Sequence, residues 1–202
     1  MAESGGSVGP GSFFAAYVPF PDARPERVRV TLARAEAEDC PALAALQAGV
    51  RGGPVARWAE RIGRAVSGER SAVVLARVGE EIAGYGNVSF LPRHPGDGAP
   101  EGYYLTGVTV APRWRRRGVG AALTRWRMAW AWERSSTVWC FVSAGNPVSL
   151  DLHRTLGFRE VRRAASIQGV GFDAGEGVLL SAQSAPAAED PAGTGRFRVR
   201  HR

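Results

Sequence analysis

Apolar positions along the chain switch between a period of two and a period near 3.6, and the switches divide it into strands and helices. Residues 28–32 alternate and predict a first strand. Glu36-Ala-Glu-Asp39 then opens a helical run with Leu43 and Leu46 on one face, ending near Gly49. Gly52-Gly53-Pro54 breaks it, and Trp58, Ile62 and Val66 recur four apart as a second helix. Residues 71–78 and 82–91 read as two strands around the turn at Gly79-Glu80-Glu81. A loop at 94–100 leads to a strand at 103–110. A long helix follows over 118–134, with Val119, Leu123, Trp126 and Trp130 along one stripe. A strand at 138–142, a helix at 147–156 and strands at 158–161 and 178–180 complete the pattern. The order predicts a mixed α/β sheet in one continuous domain over 27–182.

The flanks differ in kind. Residues 1–26 are rich in Gly, Ser and Pro and read as a flexible arm. Phe13, Phe14, Tyr17 and Phe20 within it also suit docking on a second subunit, which keeps a homodimer open. Residues 183–202 read as a disordered basic tail. No run of about 18 apolar residues occurs, so no membrane span is expected. The start has neither a basic region nor an apolar one, and a cytoplasmic protein is expected. Cys40 and Cys140 stand 100 positions apart with no Cys/His cluster near either, which supports neither a disulfide framework nor a metal site.

The net charge of +7 on 202 residues and the pI near 10.6 raise nucleic acid as a partner. The distribution argues otherwise. All 26 basic residues are arginine, and residues 113–134 carry seven of them against Glu133 alone, a local +6. Such a concentrated field suits a compact polyanion better than a long duplex.

The chemistry concentrates in two stretches. The first is Val108-Thr-Val-Ala-Pro-Arg-Trp-Arg-Arg-Arg-Gly-Val-Gly-Ala121, a strand, an arginine-rich turn and a helix start. Helix N-termini present unpaired N–H groups to anions, and glycines at 118 and 120 admit a pyrophosphate close to the backbone. A solvated basic turn explains the same glycines. In the second stretch, Asn146 suits an N-cap, Pro147 the first helical position and Gly157 the position after the helix. Val148, Leu152 and Leu156 read as its core stripe, leaving Asn146, Ser149 and His153 as the wall of a polar cleft.

Together the two stretches resemble the GCN5-related N-acetyltransferase (GNAT) superfamily. Its pattern Arg/Gln-x-x-Gly-x-Gly/Ala matches at Arg115, Gly118 and Gly120. The pattern Asn-x-x-Ala/Ser-x-x-x-Tyr-x-x-x-Gly-Phe matches at Asn146, Ser149, Gly157 and Phe158, with His153 where tyrosine is usual. The resemblance implies a mostly antiparallel mixed sheet with a V-shaped split between the fourth and fifth strands and helices on both faces. It implies acetyl-CoA in the split, without a metal. Val108, Thr109 and Val110 would hold the pantetheine arm. Arg115, Arg116, Arg117, Gly118, Val119, Gly120 and Ala121 would hold the pyrophosphate, with Asn146, Ser149 and His153 alongside.

The reaction so implied is direct attack of a neutral amine on the thioester. His153 stands in for the usual tyrosine acid, and Glu101 is the nearest carboxylate for a base. Water ending at Tyr104 or Thr106 is the alternative base. Tyr103, Tyr104, Asp173 and Glu176 are expected beside the acceptor. The pattern is similar to that of small-molecule acetyltransferases, which points to a small cationic amine, with an aminoglycoside antibiotic the leading candidate. Transfer to a protein lysine or N-terminal amine, a toxin acting on charged tRNA, a non-catalytic acetyl-CoA sensor and a nucleic-acid-binding module stay open as alternatives.

Overall fold

The computed structural model describes residues 25–184. The expected N-terminal arm and basic tail lie outside them, except at their inner ends. Gln183, placed in the tail by composition, closes the last strand instead, and Ser184 N–H donates to Ser136 O at 2.8 Å.

The elements are β1 (Thr31–Arg34), α1 (Cys40–Arg51), α2 (Val55–Ser67), β2 (Ser71–Val78), β3 (Glu81–Leu91), β4 (Gly102–Val110), α3 (Val119–Trp132), β5 (Thr137–Ser143), α4 (Pro147–Thr155), β6 (Arg159–Ala164), β7 (Ser166–Ile167), β8 (Val170–Gly171) and β9 (Gly177–Gln183). Short 3-10 turns at Ala37–Asp39 and Pro112–Trp114 precede α1 and α3. The first strand begins later than its alternation suggested. Val28 N–H donates to Arg117 O at 3.2 Å, so the segment before Thr31 lies against the turn preceding α3 rather than on β2. The β7–β8 hairpin escaped prediction because two residues per strand display no period.

Seven strands form one sheet in the order β1-β2-β3-β4-β5-β9-β6. Every neighbouring pair is antiparallel except β4–β5. Alternation along β2 sends Val73 and Leu75 into a cluster with Leu43 and Ile62 of α1 and α2. It sends Val74 and Ala76 into a second cluster with Val119 and Leu123 of α3. The sheet is therefore covered on both faces. A third cluster joins Met128 and Trp130 of α3 to Leu150 of α4 and to β5 and β9.

The parallel pair is short. It is held only at Tyr103↔Val138 and Tyr104↔Trp139, and beyond it the two strands part. A bulge accompanies the parting. Asn87 faces Gly107 on β4 while Ser89 faces Tyr104, so Leu105 and Thr106 oppose the single residue Val88 and bend β4.

Arg127 lies beneath this bend. Its guanidinium is interior and donates to Gly107 O at 2.9 Å, Asn87 O at 3.2 Å and Thr124 Oγ1 at 3.0 Å, while Nε reaches Leu123 O. Four neutral oxygens replace the water that the cation loses, and burial still lowers its pKa to about 10. Gly86 leaves it room, because a Cβ there would lie 2.9 Å from Nε. Arg127→Ala would strand these carbonyls and open a cavity, a destabilisation of about 3 kcal/mol. A urea unfolding midpoint unchanged from the parent would refute this role.

Candidate active site

The phase of the β3–β4 ladder decides what faces the split. Ala111 N–H donates to Ala83 O at 2.9 Å, so Thr109 and Gly107 share the hydrogen-bonded phase with β3. The backbone N–H and C=O groups of Val108 and Val110 therefore point to the opposite edge, where β5 has moved away. Val110 O accepts from Arg115 Nε at 3.2 Å. Thr109 is placed differently from its expected role: its backbone belongs to the β3 ladder, and its hydroxyl donates to Gln47 Oε1 under α1.

α3 starts at the end of this edge. Arg116 (φ 64°) and Gly118 (φ 94°) are both left-handed, which turns the chain sharply enough to aim the helix N-terminus back at β4. Ala122 N–H donates to Gly118 O at 3.0 Å. The amides of Val119, Gly120 and Ala121 thus belong to the first turn, which has no intrahelical acceptors. A Cβ on Gly120 would sit 3.8 Å from Leu152 and 3.9 Å from Val110, so the missing side chain leaves a gap among β4, α3 and α4. The cationic face is narrower than the sequence count. Arg127 is interior, Arg113 pairs with Glu81 and Arg134 with Glu133.

α4 is turned relative to expectation. Asn146 Oδ1 accepts from Ser149 N–H at 3.0 Å and is occupied as the N-cap. The buried positions are Leu150 and His153, while Leu152 faces Gly120. The Asn-Ser-His face is thus an inner face at its His153 end, not an open wall. His153 is 5% exposed and meets Phe158 edge-on at 5.1 Å. Its Nδ1 lies 2.7 Å from Ser149 O, a partner that can only accept, so the neutral ring carries its proton on Nδ1 and leaves Nε2 as an acceptor. Burial, reinforced by the Arg127 charge and opposed by the Ser149 bond, lowers its pKa to about 4. A neutral imidazole in this tautomer has no second N–H to donate to a leaving thiolate, contrary to the acid role expected from the tyrosine position.

The four expected acceptor-side residues also lie elsewhere. Tyr103 packs edge-on between Phe90 and Trp130 under α3, with both ring centroids 5.5 Å away. Tyr104 is fully buried, stacks on Trp139 and donates to Pro100 O at 2.6 Å. Glu176 pairs with Arg163 at 3.2 Å, and Asp173 is exposed in the turn before β9. Glu101 is exposed at the start of β4, where β4 and β5 are still paired. Four residues of strand separate it from Thr106, a span of about 15 Å.

Patterning missed the cleft on the α1–α2 side of the bulge, of about 520 Å³. Its floor holds Asn87, Ser89 and Thr106, and its walls hold Arg61, Arg64 and Arg70. The Asn87 Oδ1 is buried with no hydrogen-bond partner among the described residues. No amphipathic period marks these positions, which come from three elements joined only by the fold. Deeper on the same side, Tyr85 donates to Gln47 Oε1 at 2.9 Å, and burial pushes its phenol up to about 12.

Residues 34–158 match the model of the acetyltransferase (GNAT) family, and the chain belongs to that family. It is an acetyl-CoA-dependent acetyltransferase by that membership. Among solved structures it is similar to the ribosomal-protein-S18-alanine N-acetyltransferase from Escherichia coli, at 19% identity and TM-score 0.57, covering 81% of this chain and 99% of that one. It is also similar to yncA from Salmonella typhimurium, solved with its cofactor acetyl-CoA, at 19% identity and TM-score 0.56 over 82% and 99% of the two chains. A GNAT acetyltransferase from Bacillus cereus ATCC 10987 aligns at 15% identity and TM-score 0.61, over 78% and 99%. No curated protein matches the chain by sequence. Among the described residues no helix is long and apolar enough to cross a membrane.

His153 carries a prediction for stability. Its folded pKa near 4 lies below the ordinary 6.5, so the unfolded chain binds the proton first. Its contribution is present above pH 6.5 and lost as pH falls toward 4, on the order of 3 kcal/mol in all. Denaturant midpoints measured at both ends of that window should fall less in His153→Gln than in the parent. Equal slopes would show that His153 is not buried neutral.

Proposed function

We propose that the chain transfers the acetyl group of acetyl-CoA to the primary amine of a small acceptor by direct attack, with no side-chain carboxylate as base. One observation carries this reading: the free edge of β4 at Val108 and Val110 opens both onto the N-terminus of α3 and, at the bulge, onto the α2 cleft. The residues present fit acetyl-CoA, because the gap at Gly120 lies between that edge and the first turn of α3. Bound there, acetyl-CoA supplies a thioester carbonyl to the acceptor.

The chain's own residues divide the work. The outward amides and carbonyls of Val108 and Val110 pair with an extended arm. The amides of Val119 to Ala121 and the guanidiniums of Arg115, Arg116 and Arg117 hold its pyrophosphate. Asn87 Oδ1 accepts an N–H of the acceptor and orients the nitrogen lone pair. His153 holds the α4 wall through Ser149 and Phe158 and does not move a proton. As the C–N bond forms and the C–S bond breaks, the ammonium proton leaves to water, since neither Glu101, Asp173 nor Glu176 stands at the bulge, and the sulfur departs as a thiolate that solvent protonates. An aminoglycoside or polyamine acceptor, expected from Asp173 and Glu176, draws no support from their positions.

Thiol release from acetyl-CoA over an amine panel tests the reading. Turnover with free amines supports it. Binding of acetyl-CoA without turnover on any amine makes the chain a sensor. With a working acceptor, kcat/KM should rise with pH up to the acceptor's own amine pKa, without an inflection in the histidine range. Such an inflection, abolished in His153→Gln, would restore the acid role. Gly120→Ala meets only ordinary contacts in the fold, so it should stay folded while raising KM for acetyl-CoA about tenfold. An unchanged KM would move the binding site away from the split.

A further inference from the structure

We infer that the acceptor is a small amine that also carries an oxyanion group, a carboxylate or a phosphate, held by the arginine wall of the α2 cleft. The inference rests on the acetyltransferase reading and names the substrate class of the same site. The lining of the cleft includes three arginines and no Asp or Glu, a formal +3 around one opening. A cationic acceptor would meet like charge at this wall.

Two of the wall arginines are held in place by contacts the structure shows. Arg70 lies over the Phe90 ring, 3.2 Å from its centroid, and among the described residues no carboxylate pairs with it. Arg64 keeps one ion pair with Glu60, one turn earlier on α2, at 3.0 Å. Both partners are about two-thirds exposed or more, with side chains at 71% and 67%, so the pair is weak and a buried ligand oxyanion competes with it readily. Arg61 adds its charge from the turn before Arg64. Further along the same face, burial holds the Arg51 guanidinium below its ordinary pKa, opposed by Tyr85 and reinforced by the charges of Arg61 and Arg115.

The floor supplies the complementary group. Asn87 Oδ1 is an acceptor without a donor, enclosed by protein, at the edge of the bulge. An amine N–H satisfies it, whereas a ligand that offers only acceptors leaves it stranded. The cleft therefore has one unsatisfied acceptor just beneath its floor, which a turn of the Asn87 side chain would bring to a nitrogen, and several donors at the wall for an oxyanion, with Phe90 and Leu91 between them. A planar guanidinium fork binds carboxylate or phosphate in two-point fashion, which fixes the amine's direction as well as its position.

The test uses the full-length chain and pairs of acceptors that differ only in charge. Amino acids are compared with their amides, aminoalkyl phosphates with the corresponding amino alcohols, and a polyamine and an aminoglycoside form the cationic arm. Acetyl-CoA binding is followed separately by calorimetry. The oxyanion-bearing members should show kcat/KM at least about tenfold above their neutral partners. Preference within that series separates carboxylate from phosphate. Arg64→Gln/Arg70→Gln should raise acceptor KM about tenfold and leave KM for acetyl-CoA unchanged, while Arg159→Gln on β6, a charge control far from the cleft, should leave both unchanged. Equal or better turnover of amides, polyamines or aminoglycosides overturns the inference. So does silence across the oxyanion series while acetyl-CoA still binds, or an unmoved acceptor KM in the double variant. Failure to bind acetyl-CoA at all overturns the acetyltransferase reading instead.

Discussion

The separation of β4 from β5 after two paired residues is the constraint from which the site follows. Sheet strands stay together unless something bends one of them, and here the bend is the two-against-one bulge at Leu105–Thr106. A bulge leaves backbone groups out of the ladder, and Arg127 supplies donors for the carbonyls beside it. The guanidinium suits this task better than an ammonium because its fork reaches several carbonyls at once from a fixed plane. Its cost is desolvation without a counter-ion, which a fully hydrogen-bonded but unpaired cation bears only where its removal would leave more groups stranded. The same cation disfavours a proton on His153. One buried arginine thus shapes the opening and adds to the burial that keeps His153 neutral.

The strands and helices were legible because each long element buries one face in a regular period, and the glycine and asparagine signals sat at their ends. β2 and α4 fell within a residue or so of where alternation and capping placed them. What sequence could not display is which face of an element turns inward when both faces have apolar or amphipathic candidates. On α4 the stripe Val148-Leu152-Leu156 competes with Leu150 and His153, and packing against Phe158 decides for the second. On β4, Tyr103 and Tyr104 look like polar-tipped ligand contacts. They are interior because consecutive strand residues enter the two clusters on opposite faces of the sheet. Arg127 was hidden for a related reason: an arginine in an arginine-rich run reads as surface charge, and only the bulge above it gives the interior a use for it.

The arginine bias explains why the sequence points to one positive region only. A count over 113–134 isolates one positive region, yet three further arginines, scattered over 61–70 and unremarkable in sequence, converge on the other opening of the split. Charge density along a chain and charge density around a cavity are different quantities, and only folding relates them. Of the carboxylates that appeared suited to a cationic acceptor, Glu176 is drawn off by Arg163, and Asp173 is exposed in the turn before β9.

A cationic cleft also bears on the missing base. An amine is a nucleophile only when neutral, and an ammonium near several guanidiniums is disfavoured against its neutral form. Each such neighbour lowers the amine's pKa, whereas a carboxylate neighbour would raise it. On the proposed reading, an oxyanion on the acceptor would partly offset this for binding, pairing with the wall while the nitrogen lies at Asn87, whose amide oxygen carries no charge. The arrangement thus binds the acceptor through one end and favours loss of the proton at the other. On this account the protein needs no general base because the field of the cleft shifts the equilibrium that a base would otherwise shift, and water suffices to carry the proton away.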